Sequence, residues 1–371
     1  MSRGNITLIG VGRLGICTAL VFEKAGYTVL GVDIIEDYVR KINEKTLDSP
    51  EPEVNGYLQA SKNFRCSCSM EEGVAFSDML FVCVDTPSTG GKRHYDVTKL
   101  SNVLSKINKL KPSNKHIMIM CTVMPGYIRE VGRHLIRDCS NTTLNYNPEF
   151  IAQGAIMYGF LNPDVVLIGG ENEEVSNKLV EIYTNATLNK PYMAVMNPES
   201  AEVMKISLNC FITTKIAYAN MIGDLADLTP GADKLKILQA IGMDSRVGPK
   251  CLKPGWSFGG PCFPRDNRAL LGYAEKMGFD AKISRATDEM NELHVQKMAE
   301  DYIKMGLEVY EFVGIAYKEP CNVPIIEESA KIKVAEIIAR TTGKRVILKD
   351  KPHIIEVARN EYGSLFEYEC I

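Results

Sequence analysis

The chain has 371 residues, 45% of them hydrophobic and 24% charged, a make-up typical of a soluble globular protein long enough for two or three cored domains. Lys and Arg total 43 against 46 Asp and Glu, and the net charge of −3 carries no nucleic-acid or membrane signature. No apolar stretch reaches the length of a membrane span, and with a strand read as early as Asn5–Ile9 no signal peptide is expected.

The first third alternates strand-like and helix-like segments. ITLIG (6–10) reads as a continuous apolar strand, followed by a helical pattern over Arg13–Ala25 that Gly26 ends. TVLGV (28–32), MLFVCV (79–84), HIMIMC (116–121), TLNY (143–146) and DVVLIGG (164–170) are further strands. Repeated βα order of this kind predicts an α/β fold: a Rossmann-like, doubly wound, mostly parallel sheet in an N-terminal domain, residues 1–196. Asn197-Pro198-Glu199-Ser200 then opens a helix, because Asn caps, Pro fits the first turn and Glu suits the dipole. Its pattern runs to about Leu228, roughly 45 Å at 1.5 Å per residue, which suits a spine between domains and a dimer interface. Residues 197–305 form this central helical region, and a shorter α/β unit, residues 306–371, contains VYEFVGIAY (309–317) and KRVILKD (344–350). Eleven cysteines without a CxxC pair, and five histidines without HxxxH spacing, give no support for a metal site. Most of these thiols sit in apolar runs, and a reducing, cytoplasmic protein is expected.

Several motifs carry chemistry. Gly10-Val11-Gly12-Arg13-Leu14-Gly15 matches GxGxxG between a strand and a helix, and Asp33 ends the second strand. The glycines allow a tight turn and close approach of a pyrophosphate to the helix N-terminus. Asp33 would accept from both ribose hydroxyls and repel a 2′-phosphate, so the expected cofactor is NAD. GWSFGGPCFPRD, starting at Gly255, puts Cys262 in a glycine-rich turn that a helix leaves, where the dipole favours a nucleophilic thiolate. Gly259 and Gly260 would let the backbone come close to a ligand. Lys205 and Asn209 share one helix face among apolar neighbours, so their polar ends need a partner, for which a substrate is a candidate. Asn147-Pro148-Glu149-Phe150 reads as a second Asn-Pro-Glu helix cap, placed where ligands of such folds bind. Thr86 and Thr122 follow strands toward the same crevice.

Together these blocks resemble the nucleotide-sugar 6-dehydrogenases, the family of UDP-glucose and GDP-mannose dehydrogenases. GVGRLG, DTPS, CTVMPG, NPEFIAQGA with LNPDVVLIGG, AEVMKISLNCF, IGMDSRVG and GWSFGGPCFPRD carry the resemblance, between about Ile6 and Ser329. It implies four-electron oxidation of a sugar C6 alcohol to a carboxylate with two NAD, through a thiohemiacetal and a thioester on Cys262. Lys205 and Asn209 would stabilise the oxyanion, and Asp266, Glu149 and a water held by Thr122 would supply acid–base groups. NAD would contact Gly10, Val11, Gly12, Arg13, Leu14, Gly15, Asp33, Thr86, Thr122, Gln153 and Arg265. The nucleotide sugar would meet Glu149, Phe150, Gln153, Lys205, Asn209, Lys253, Phe258, Gly259 and Lys318. Arg246 would act across the interface of a homodimer.

Three departures accompany the match. Gln153 stands where the family has a second glutamate after PEF, and Glu327 where it has an arginine before Glu-Ser. Only about forty residues follow Ser329, so an abbreviated nucleotide-binding C-terminal domain is expected. UDP-glucose is the expected substrate. GDP-mannose and a UDP-N-acetyl-hexosamine remain alternatives, as do a non-catalytic nucleotide-sugar binder and a two-electron hydroxyacid dehydrogenase.

Overall fold

A computed structural model of the chain describes residues 2–89, 95–151, 154–319, 321 and 323–371. Two compact units emerge, one up to Lys205 and one from Ile206, with the boundary inside the helix Pro198–Asp227.

In the first unit the described residues form an eight-stranded sheet: β1 (Asn5–Ile9), β2 (Thr28–Val32), β3 (Phe64–Ser67), β4 (Met79–Val82), β5 (His116–Ile119), β6 (Thr143–Tyr146), β7 (Val165–Gly169) and β8 (Tyr192–Met196). Their order is β3-β2-β1-β4-β5-β6-β7-β8, parallel throughout except between β6 and β7. The strands read as unbroken apolar runs because both faces are covered. Ile6, Leu8, Phe81 and Met118 enter a core with the helices Arg13–Lys24 and Glu173–Ala186. Ile9, Leu80, Val82, Ile117 and Ile119 enter a second core that includes Leu100, Leu104 and Ile107 of the helix Thr98–Lys109. Successive side chains of one strand thus feed opposite cores, as a period of two requires. The order reverses direction between β1 and β4, and the glycine loop leaves β1 at that point.

The second unit has a three-stranded parallel sheet, β11-β10-β9, from β9 (Val309–Val313), β10 (Arg345–Asp350) and β11 (Glu367–Cys370). The strand read over 309–317 stops at Val313, since Gly314 takes φ +70° and the Asp350 carboxylate accepts the Ile315 N–H at 2.7 Å. Among the described residues no helix is long and apolar enough to cross a membrane.

The Asn197 cap forms as its sequence predicts: Oδ1 accepts the Ser200 N–H at 2.8 Å. The same reading of Asn147 is corrected. No helix starts there; the next one is Ile156–Leu161, and the Asn147 amide instead donates to Leu167 O at 2.9 Å, tying the chain after β6 to β7. Glu202, fully buried one turn before Lys205, accepts the N–H groups of Gly126 (2.7 Å) and Ile128 (2.9 Å), and so pins the loop that follows Thr122. Burial outweighs those bonds and pushes its carboxyl up from 4.5 to about 7. A carboxyl raised in the fold stabilises fully below its unfolded value and loses that contribution as pH rises through the folded one. Between pH 4.5 and 7, Glu202→Gln is therefore expected to gain up to about 3 kcal/mol of unfolding free energy relative to the wild type. Parallel denaturant titrations check this, and a pH-independent difference would refute it.

Candidate active site

Sequence-predicted residues gather in both units, and each group is described with its own neighbours. In the first unit, Gly10 adopts φ +90°, and a Cβ there would lie 2.5 Å from Cys83 O, where β1 and β4 diverge. A Cβ on Gly15 would lie 2.1 Å from Gly10 O, so the helix Arg13–Lys24 can start this close to its strand only with glycine. Around Gly12 a Cβ would meet nothing within 4 Å. That helix has no side-chain cap and no acidic residue in its first turn, which suits a pyrophosphate at its N-terminus. Val11 is buried, Arg13 is exposed and Leu14 is half-buried. The Asp33 carboxylate accepts the Val11 N–H at 3.0 Å and the Ile35 N–H at 3.2 Å, so it braces the glycine loop from the end of β2. These features fit NAD. A 2′-phosphate beside Asp33 would add like charge, so NAD is expected to support turnover 10²–10³-fold, on the order of magnitude, better than NADP. Asp33→Ser should narrow that ratio in matched kinetic assays, and an unchanged ratio would contradict the assignment.

Thr86, buried after β4, donates from its hydroxyl to Thr122 O at 2.8 Å, joining the loops after β4 and β5. Glu149 and Phe150 follow β6, and Lys205 is 94% removed from solvent beside them. Its ammonium donates to Glu149 O and lies 4.2 Å from the Phe150 ring centre. Burial pushes the Glu149 carboxyl up to about 7, against the hydrogen bond from Tyr183 and the charge of Lys205. Gln153 lies outside the described residues.

In the second unit Cys262 caps the helix Phe263–Lys276, with Pro264 in its first turn, and is exposed. Arg265 brings Nη2 to 3.9 Å from its sulfur. Positive charge and the helix N-terminus thus both face this thiol. The buried thiols of Cys17, Cys121 and Cys210 are instead pushed up to about 12 by desolvation and are inert core. Asp266, 1% exposed, accepts from Asn209 Nδ2 at 2.7 Å and from Arg265 Nε at 3.2 Å. It therefore holds both the Asn209 amide and the Arg265 fork.

Gly259 and Gly260 also allow a close approach of the chain to itself. A Cβ on Gly259 would sit 2.2 Å from Glu328 O, and one on Gly260, at φ +84°, 2.3 Å from the Tyr317 ring. Phe258 is buried, and both its backbone polar groups are taken by Asn291, at 3.0 Å each. Asn220 accepts the Gly255 N–H at 2.9 Å, and His294 links Gly255 O (2.8 Å) to Asp224 (2.7 Å). Buried polar side chains thus clamp the segment leading to Cys262. Asn220, Asn291 and His294 were not singled out from sequence; the one available signal is polar residues at helical spacing on apolar faces. Lys253 is exposed, Lys318 places its ammonium 5.6 Å from the Tyr317 ring centre, and Arg246 is exposed with its guanidinium forked onto Asp244 at 2.9 and 2.7 Å. Among the described residues no group of three or more His, Cys, Asp or Glu could hold a metal ion.

The sheet, the glycine loop and the acidic residue ending β2 define an NAD-linked oxidoreductase. Comparisons with known proteins narrow this. The NAD-binding domain of the UDP-glucose/GDP-mannose dehydrogenase family matches residues 4–187, and the family's central domain matches residues 199–293. A UDP-glucose 6-dehydrogenase of Rickettsia bellii is 30% identical over 325 residues, 85% of this chain and 74% of that one. The structure of a UDP-glucose dehydrogenase from Pyrobaculum islandicum superposes with a TM-score of 0.86 at 26% identity, covering 98% of this chain and 85% of the other. A GDP-mannose dehydrogenase structure from Pseudomonas aeruginosa covers 96% and 84% at 25% identity, with a TM-score of 0.60. The chain belongs to the UDP-glucose/GDP-mannose dehydrogenase family and is an NAD-dependent nucleotide-sugar dehydrogenase.

Proposed function

We propose that this enzyme oxidises the C6 alcohol of UDP-glucose to the carboxylate in two steps, with Cys262 as nucleophile. The Gly10–Gly15 loop would hold NAD, which would supply the hydride acceptor for each of the two oxidations. The observation that carries the reading is the exposed Cys262 thiol at a helix N-terminus beside Arg265. Its thiolate adds to the C6 aldehyde carbon, giving a thiohemiacetal. Loss of the second hydride leaves a thioester, and water displaces the thiolate to release the acid. Sulfur suits both halves, attacking readily and leaving readily. Lys205 and Asn209 are assigned to the developing oxyanion. Glu149 is assigned to proton transfer, because a carboxyl held near 7 gives and takes protons at working pH. Asp266 holds the Asn209 amide in place. Phe258, Gly259, Lys253 and Lys318 are assigned to the nucleotide sugar, and Thr122 to a water.

UDP-glucose is chosen because several relatives matched over most of this chain bear the name UDP-glucose 6-dehydrogenase. Initial rates with UDP-glucose, GDP-mannose and UDP-N-acetyl-hexosamines at saturating NAD test the choice. The highest kcat/KM is expected for UDP-glucose. Faster turnover of another sugar would reassign the substrate, and binding without turnover across the series would favour a non-catalytic binder.

A homodimer is part of the proposal. On the helix Pro198–Asp227, Phe211, Tyr218 and Leu225 are exposed at seven-residue spacing, with Met221 again seven residues before exposed Leu228. A seven-residue apolar period suits a helix-pairing seam, and Arg246 would reach across it. A solution mass of one chain at micromolar concentration would contradict this.

A further inference from the structure

The carboxyl of Glu149 sits in a hydrogen-bond array that its proposed role in proton transfer leaves unexplained. Asn147 is completely buried, and its Nδ2 is committed to Leu167 O at 2.9 Å, so its Oδ1 has a fixed direction. That oxygen faces the Tyr183 hydroxyl at 2.8 Å, and Glu149 Oε1 faces the same hydroxyl at 2.7 Å. Tyr183, 1% exposed on the helix Glu173–Ala186, has its ring edge-on to Phe22 at 5.9 Å and cannot turn away. Burial and the Glu149 carboxylate push its phenol well up, so it keeps its proton.

One hydroxyl proton therefore stands between two acceptors. If Glu149 is ionised, Tyr183 donates either to it or to Asn147, and the other oxygen faces a lone pair. If Glu149 carries the proton, it donates to Tyr183 Oη and Tyr183 donates to Asn147, so both bonds form. Leaving a buried acceptor unpaired costs about 1–3 kcal/mol, so the array favours the carboxylic acid. We infer that Tyr183 and Asn147 are positioning residues that hold Glu149 as a neutral acid with its proton directed along Glu149–Tyr183–Asn147. A Tyr183 hydroxyl turned toward Glu149 favours ionisation, but only by leaving Asn147 Oδ1 unpaired; of the other titratable groups facing Glu149, Lys205 from the long helix favours ionisation, and Cys83 after β4 has a thiol itself pushed up by burial.

The inference rests on the assignment of Glu149 to proton transfer, and its test separates the two. Infrared difference spectra of wild type minus Glu149→Gln, in the purified full chain at pH 6, should show a protonated-carboxyl stretch. In Tyr183→Phe, which keeps the ring, that band should move to higher frequency because its acceptor is gone. In Asn147→Ala the proton of Tyr183 is released to ionised Glu149, and the band should titrate away about 1–2 pH units lower than in wild type. Absence of an acid band at pH 6, or a band that ignores Tyr183→Phe, overturns the inference; should Asn147→Ala fail to fold, Tyr183→Phe decides alone. A purely structural Tyr183 would leave the band in place. Independently, kcat of Glu149→Gln measured across pH 6–8 reports on the catalytic assignment: if its profile matches wild type, that assignment fails whatever the spectra show.

Discussion

Replacing Cys262 by serine is expected to lower uronate formation on the order of a thousandfold while leaving NAD and nucleotide-sugar binding close to the wild-type values. The sulfur and oxygen side chains are similar in size, and Cys262 is exposed, so the helix Phe263–Lys276 loses no packing. What changes is chemistry. A serine hydroxyl stays protonated beside Arg265, attacks the aldehyde poorly and leaves poorly from an ester. Its loss should therefore appear in kcat far more than in KM. Uronate formed at the wild-type rate by Cys262→Ser would remove the covalent step from the mechanism.

The second large effect is expected for Lys205→Met. The ammonium is buried, donates to Glu149 O and lies over the Phe150 ring, so methionine fills the space without the charge. Removing a positive donor assigned to a developing oxyanion should cost about 10²–10³ in kcat. Folding should survive, since an apolar chain of similar length replaces a buried cation. The same substitution removes the charge that pulls the Glu149 carboxyl down, so any pH–rate limb belonging to Glu149 should move upward. A Lys205→Met enzyme with undiminished kcat would confine the lysine to a structural tie.

Sequence legibility followed backbone geometry. The glycine loop was readable because two of its glycines answer a steric demand, positive φ at Gly10 and helix-to-strand contact at Gly15, while Gly12 leaves open space. The paired Asn-Pro-Glu tripeptides show where reading stops. After Asn197 a periodic apolar helix follows and the cap forms, whereas the residues directly after Asn147 are not helical and its amide goes to a strand carbonyl. β3, β8 and β11 escaped notice because they are edge strands with exposed residues (Arg65, Tyr192, Glu367) that break the apolar run. Gly259 and Gly260 announced a close approach, but what they approach, Glu328 O and Tyr317, lies far along the sequence. Tyr183 was invisible for a similar reason. On the helix Glu173–Ala186 it occupies an ordinary core position, and only the long-range placement of Asn147 and Glu149 reveals its hydroxyl.

The central claim is a four-electron oxidation through Cys262, and the most direct measurement is the number of NADH formed per UDP-glucose consumed, with excess NAD and the sugar product identified. The account predicts two NADH and a uronate. One NADH with an aldehyde or ketone product would contradict it.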